Sequence, residues 1–201
     1  LNESAAQGAY ATKDAQTAGE KQSVTFTNLA LTGSGAGNYT LAASQTFSDA
    51  GKITPKTLTL ALTSGARFDK TYDGNVNVTQ SLTKGTNYNL NGFVTGEGTD
   101  IELSAVTGKY ANKNAAADKA VTFHGLTLTG AGAGNYALNK STLTGTGTIA
   151  RRALTLGAVA AQTKTYDGTT AADASKFRAA LGNAIAGDNV TAAAAGATYR
   201  S

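Results

Sequence analysis

The chain has no cysteine, methionine or tryptophan, and one proline and one histidine in 201 residues. Without cysteine there is no disulfide, no thiolate metal site and no thiol nucleophile. A single histidine, His124, and 13 acidic residues scattered along the chain leave no obvious nucleophile–base pair or close carboxylate pair. The chain therefore reads as non-enzymatic, with no catalytic residue, metal ligand or cofactor. Without methionine it is expected to be a processed or excised piece of something longer. It contains no signal-peptide pattern and no apolar run near 20 residues, so no membrane insertion is expected. Charged residues make up only 15 %, the net charge is +4, and the densest basic spot is Arg151-Arg152. Neither a basic stripe nor interleaved aromatics support a nucleic-acid partner.

What the chain does have is repetition. Leu128-Thr129-Gly130-Ala131-Gly132-Ala133-Gly134-Asn135-Tyr136-Ala137-Leu138 echoes Leu31-Thr32-Gly33-Ser34-Gly35-Ala36-Gly37-Asn38-Tyr39-Thr40-Leu41, 97 positions earlier. A repeat of that length is one structural unit, and patterned apolar residues at 41 % argue against disorder. The glycines predict a loop that enters a short strand at Tyr39 or Tyr136. The tyrosine is expected to anchor it, ring buried and hydroxyl bonded to backbone.

A second landmark, Lys70-Thr71-Tyr72-Asp73-Gly74, returns as Lys164-Thr165-Tyr166-Asp167-Gly168. Asp-Gly between alternating runs predicts a hairpin whose two turn residues both take positive φ. The competing reading is a calcium loop using Asp69 and Asp73. Calcium takes six to eight oxygens, however, and Thr163 stands at the second copy's equivalent of Asp69.

Other segments repeat as well. Leu1-Asn2-Glu3-Ser4 leading to Tyr10 matches Ile101-Glu102-Leu103-Ser104 leading to Tyr110, and Val190 leading to Tyr199 is a third copy. Asp100 and Asp188 sit in turns before the later two. Val24-Thr25-Phe26 and Val121-Thr122-Phe123 alternate and then change parity before Leu29 and Leu126. A bulge or bend is therefore predicted near Asn28 and Gly125, with His124 on the surface beside it. Ile53-Thr54-Pro55 and the Leu-Thr-Leu run after it pair with Ile149-Ala150-Arg151 and its run. Pro55 marks a strand start or edge, and the run is expected to cross from one repeat to the next, stiffening the array. Ser175 to Ile185 spaces Phe177, Leu181 and Ile185 like a short helix with Asp173 or Ser175 as N-cap.

The chain thus divides into residues 1–62, the C-terminal part of a repeat; residues 63–158, a complete repeat; and residues 159–201, the N-terminal part of a further one. The expected fold is all-β, with tandem antiparallel sandwich-like units forming an elongated rod. A β-grasp-like unit with one small helix is the alternative.

Tyr-Asp-Gly, Gly-Asp-type turns, Val-Thr-Phe, Leu-Thr-Gly, Gly-Asn-Tyr and Ile-Thr-Pro, in that order, resemble the YDG repeat of large bacterial surface proteins. Among these are filamentous-haemagglutinin-like adhesins exported by two-partner secretion. Here the motif is carried by Tyr72, Asp73, Gly74, Asp100, Val121 to Phe123, Gly134, Asn135, Tyr136 and Ile149. The resemblance implies an extracellular, bacterial cell-surface location and a non-catalytic stalk supporting adhesion or biofilm. Its expected partners are neighbouring repeats and a host or bacterial surface or glycans. The lack of cysteine suits export through an oxidising compartment.

Two alternatives accompany that reading. A carbohydrate-binding module would use exposed Tyr88, Phe93 or Lys–Asn clusters. A self-assembling surface filament would exploit the complementarity of the flanking sections. The first section lacks the Tyr-Asp-Gly turn that the last section has, so head-to-tail self-association by strand addition is conceivable.

Overall fold

The computed structural model describes residues 5–196 and residue 198. The starting segment Leu1-Asn2-Glu3-Ser4 and the terminal Tyr199 of the third copy lie outside the described residues. In chain order the strands are β1 (Gln7–Tyr10), β2 (Gln22–Thr27), β3 (Ser44–Gly51), β4 (Lys56–Leu62), β5 (Lys70–Thr71), β6 (Tyr88–Asn91) and β7 (Glu102–Leu103). They continue as β8 (Gly108–Tyr110), β9 (Ala116–His124), β10 (Leu128–Thr129), β11 (Tyr136–Leu138), β12 (Thr142–Ala150), β13 (Thr155–Val159) and β14 (Ala179–Gly182). Three single 3-10 turns are the only helical elements among the described residues, so the fold is all-β.

The chain folds as two compact units. One comprises residues 1–67, 80–108 and 122–145, and the other residues 68–79, 109–121 and 146–201. The first unit joins residues of the first and middle sections, and the second joins residues of the middle and last.

In the first unit, β1-β2-β3 is an antiparallel meander, and β4 is the central strand of a sheet ordered β11-β4-β6. Leu58 and Leu60 on β4 are fully buried, and Tyr88 and Leu90 on β6 point the same way. That is the period-two pattern of a half-buried strand. The Leu58-Thr59-Leu60 run is thus the middle strand of a sheet whose other two strands, β6 and β11, come from the following section, residues 63–158. Pro55 immediately precedes β4, where its missing N–H costs nothing. Thr63 to Ala66 then close a turn, with the Ala66 N–H bonded to the Thr63 carbonyl at 3.0 Å.

Two pairings depart from the antiparallel expectation: β11 runs parallel to β4, and β12 parallel to β5. Parallel neighbours need long connections, and the stretch separating β4 from β11 supplies one. It brings the end of the first section beside the Gly-Asn-Tyr strand of the middle one, which no local pattern announces.

The parity change resolves as a bend. Asn28 and Gly125 directly follow β2 and β9 and take φ of 56° and 68°. The left-handed residue lets Val121 and Phe123 on one parity, and Leu126 on the other, all be buried. His124 is exposed at the end of β9.

The expected helix over 175–185 does not form. Asp173 does cap a turn, its Oδ1 accepting from the Ser175 N–H at 3.0 Å, but the turn stops at Lys176. Phe177 is already extended (φ −62°, ψ 121°), and Ala179–Gly182 pair antiparallel with β13. Pairing with a strand outweighs the helix preference of alanine, and the helix-bearing β-grasp alternative goes with it.

Candidate functional site

The Lys-Thr-Tyr-Asp-Gly segment is a turn but not the expected hairpin. Gly74 takes φ of 81° while Asp73 does not take positive φ, and β5 pairs with β12 rather than with the chain after the turn. A lysine organises it. The Lys70 ammonium bonds Asp73 Oδ1 at 2.7 Å, the carbonyls of Asn75 and Asn77 at 2.9 Å each, and Asn75 Oδ1 at 3.1 Å. It also lies 5.4 Å from the centre of the Tyr110 ring, and its side chain is only 4 % exposed. The Tyr110 hydroxyl in turn donates to the Phe68 carbonyl.

The second copy repeats the device more openly. Lys164 Nζ bonds Asp167 Oδ1 at 2.8 Å, the Thr169 carbonyl at 2.8 Å and Thr169 Oγ1 at 3.0 Å. In both copies the aspartate also accepts from the backbone N–H two residues on. An ammonium thus fills the place that the calcium reading gave to a metal, and Asp69 accepts instead from the Thr148 N–H at 2.6 Å.

These contacts make stability depend on acid. Hydrogen bonds from Lys164 and Thr169 hold the Asp167 carboxyl at about 2, below its ordinary 3.8. Asp73 is also lowered: burial opposes this, but the Lys70 and Asn75 bonds outweigh it. A carboxylate with a lowered folded-state value stabilises fully above its unfolded value and loses that contribution as pH falls through the folded one. Melting temperature should therefore fall between pH 4 and 2 in thermal scans, and Asp167→Asn should flatten part of that slope. A slope unchanged by the substitution would show the turn carries no acid-linked stability.

The tyrosines beside these aspartates differ between copies. Tyr72 donates its hydroxyl to Asp188 Oδ2 at 2.7 Å, and Lys113 Nζ lies 3.5 Å from Asp188 Oδ1. The Tyr72 bond is the leading cause that holds Asp188 below the usual carboxylate range. Tyr166, by contrast, is 93 % exposed. A Cβ at Gly74 would stand 2.7 Å from Ile185 Cγ2, while Gly168 has open space around it.

The Gly-Asn-Tyr segments are a matched pair in different states. In each, a 3-10 turn, Ala36–Asn38 or Ala133–Asn135, delivers the tyrosine in extended conformation. In the middle repeat Tyr136 starts β11, 6 % exposed, packed with Leu58 and Ile101. Its oxygen accepts from the Val94 N–H at 3.2 Å, as a backbone-bonded anchor should, and donates to Glu97 Oε2 at 2.6 Å. The Phe93 ring meets it edge-on at 5.1 Å. Asn135 turns the other way. Its Oδ1 accepts from the Ala15 N–H at 2.7 Å and its Nδ2 donates to Asp14 Oδ1 at 3.0 Å, while Lys13 Nζ lies 3.7 Å from Glu97 Oε1. Asn139 finishes the dock: its N–H donates to the Leu58 carbonyl and its Oδ1 accepts from the Leu60 N–H, both at 3.0 Å. Among the described residues the first copy has no strand partner, and Tyr39 is 73 % exposed.

So Gly134, Asn135 and Tyr136 form a joint between the middle repeat and residues of the section before it. Tyr72, Asp73 and Gly74 form a turn whose tyrosine reaches Asp188 of the section after it. The two motifs are not brought together in one site. Lysine 70 and its copy Lys164 were legible as the residue three before the aspartate in both copies. Glu97 and the Asp14–Ala15 pair were not singled out from the sequence, although Lys13-Asp14-Ala15 has a copy in Lys113-Asn114-Ala115, 100 positions on. Of the aromatic sequence candidates for a sugar platform, Tyr88 is not available and Phe93 is half-buried. Tyr88 is buried, with its oxygen accepting from the Leu103 N–H at 2.8 Å, and Phe93 packs on Tyr136 beneath the Lys84 ammonium.

A family model described as YDG domain matches residues 54–144 and again 150–201. No curated protein and no solved structure matches the chain.

Proposed function

The chain belongs to the YDG domain family, and on that premise we propose that it is a non-catalytic structural segment of an extracellular bacterial surface stalk, supporting adhesion or biofilm. The observation that carries this reading is the joint at Asn135. Its side-chain amide uses both its donor and its acceptor on residues of the preceding section, Asp14 and Ala15. These bonds lie inside one compact unit and knit residues of two consecutive sequence sections into it, an interlocking that suits load and spacing rather than chemistry. The surface is suited to that role by its low charge and its abundance of Gly, Ala and Thr.

Small-angle scattering of chains with increasing numbers of repeats tests the proposal. The longest dimension should grow in proportion to repeat number, and compaction into a globule would overturn it. Display on a bacterial surface followed by an adhesion assay then separates a spacer from an adhesive segment.

A further inference from the structure

β4 is held in the first unit as a bound peptide is held. It comes from the first section, yet among the described residues no other strand of residues 1–62 shares its sheet. That section grips the chain just before the strand, where Ile53 and Gln16 exchange hydrogen bonds of 2.8 and 2.9 Å. The strand itself is received on both sides by residues of the middle section. β6 pairs antiparallel with it from Asn91 opposite Thr59 to Tyr88 opposite Leu62, and the Thr63 N–H continues the ladder to the Asn87 carbonyl at 2.9 Å. β11 pairs parallel with it from Tyr136 opposite Lys56 to Leu138 opposite Leu58. Where β11 ends, Asn139 takes over with its bonds to the Leu58 carbonyl and the Leu60 N–H.

The side chains divide in the same way. Leu58 and Leu60 are fully buried and Leu62 is half-buried, while Thr57, Thr59 and Ala61 are exposed. Leu58 packs on Ile101 and Tyr136, with Phe93, Leu128 and Ala133 beside them, all from the middle section. The backbone is shaped to admit the strand. Gly92, directly after β6, takes φ of 107°, and a Cβ there would stand 3.3 Å from the Thr57 carbonyl oxygen. Main-chain bonds along an extended segment, with pockets for alternate side chains, are how proteins recognise peptides by strand addition. The middle section thus reads an extended Leu-x-Leu pattern, and the chain carries that pattern again in Leu154-Thr155-Leu156.

We propose that the gap between β6 and β11 is a strand-acceptor site and that its partner is the Leu-Thr-Leu segment of this protein's own repeats, a separable ligand that β4 supplies here from the preceding section. The inference deepens the stalk reading and rests on it for calling the partner a neighbouring repeat. Strand donation couples consecutive sections without a disulfide or a metal, because withdrawing the strand opens the core of the section that receives it. Recognition lies in the segment and not in its tether, so the site takes the same segment from a separate molecule.

The full chain tests this once ligand and acceptor are separated. Leu58→Asp with Leu60→Asp should vacate the site and open the amides of β6 and β11 to hydrogen exchange. A peptide of residues 53–62 should restore their protection, and the same peptide carrying both aspartates should not. A peptide of residues 149–158 keeps the leucines but has Ala158 where β4 has Leu62, so it should bind roughly ten-fold more weakly. A second measurement keeps the strand intact. With a protease recognition sequence placed between Ser64 and Gly65, in the turn after β4, the chain cut after folding should stay associated under native conditions. Leu60→Ala in that cut chain should weaken the association roughly thirty-fold or more. Protection that survives the double substitution without peptide, equal restoration by the aspartate-bearing peptide, no restoration at millimolar peptide, or fragments that separate once cut would overturn the proposal. Each of these results leaves the scattering of longer arrays untouched, and that measurement judges the stalk reading separately.

Discussion

Tyr136→Ala should lower the unfolding free energy by about 3–5 kcal/mol, the range for removing a large aromatic from a packed core, whereas Tyr39→Ala should change it by less than about 0.5 kcal/mol. The two tyrosines occupy the same place in the same motif, so local sequence cannot separate them. The difference lies in what surrounds them. Tyr136 is packed with Leu58 and Ile101 and edge-on to Phe93, with both functions of its hydroxyl used, by Val94 and Glu97. Its loss leaves a cavity and strips partners from a backbone N–H and a carboxylate. Tyr39 has 73 % of its surface in water and, among the described residues, no strand beside it. Tyr136→Phe should fall between, costing about 1 kcal/mol for the lost hydrogen bonding. Urea denaturation of the three variants gives the comparison, and equal losses at Tyr39 and Tyr136 would refute the anchoring role.

The second large effect uses the other member of the repeated segment. Gly130→Ala should cost about 2–5 kcal/mol, combining backbone strain at positive φ with overpacking. Gly130 takes φ of 108°, and a Cβ there would stand 1.9 Å from the Asp100 carbonyl oxygen, a backbone atom that cannot step aside. Its counterpart Gly33 takes nearly the same φ, 102°, with nothing within 4 Å. Gly33→Ala therefore reports the backbone term alone, about 1–2 kcal/mol. The excess at Gly130 measures how closely the Leu-Thr-Gly loop approaches the turn before Ile101. If the two variants lose the same stability, that approach does not matter to the fold.

Much of the architecture was legible because it is local. Alternation marked β4, a parity change placed the bends at Asn28 and Gly125, Pro55 marked a strand start, and two copies of Lys-x-x-Asp-Gly marked a turn. Each of these follows from side-chain period or from the φ a residue can reach. The hairpin reading of that turn failed because an ammonium four residues before Gly74 collects carbonyls from beyond it, and periodicity does not register a lysine's reach. The helix reading over 175–185 failed because Ala179–Gly182 found a strand partner in β13.

By itself the sequence determined that this is a repeat array of β-strands, where its turns fall, and that a tyrosine ends each glycine loop. Only the tertiary structure decided which tyrosine is buried and which copy of a motif is a joint. The reason is physical: a parallel strand pairing such as β11 on β4 links residues some 80 positions apart, and its register is set by which edges are free when the strands meet. The Gly-Asn-Tyr segment is the same chemistry in both places. Packed against β4, Tyr136 is core, whereas Tyr39, with no strand beside it among the described residues, is mostly exposed.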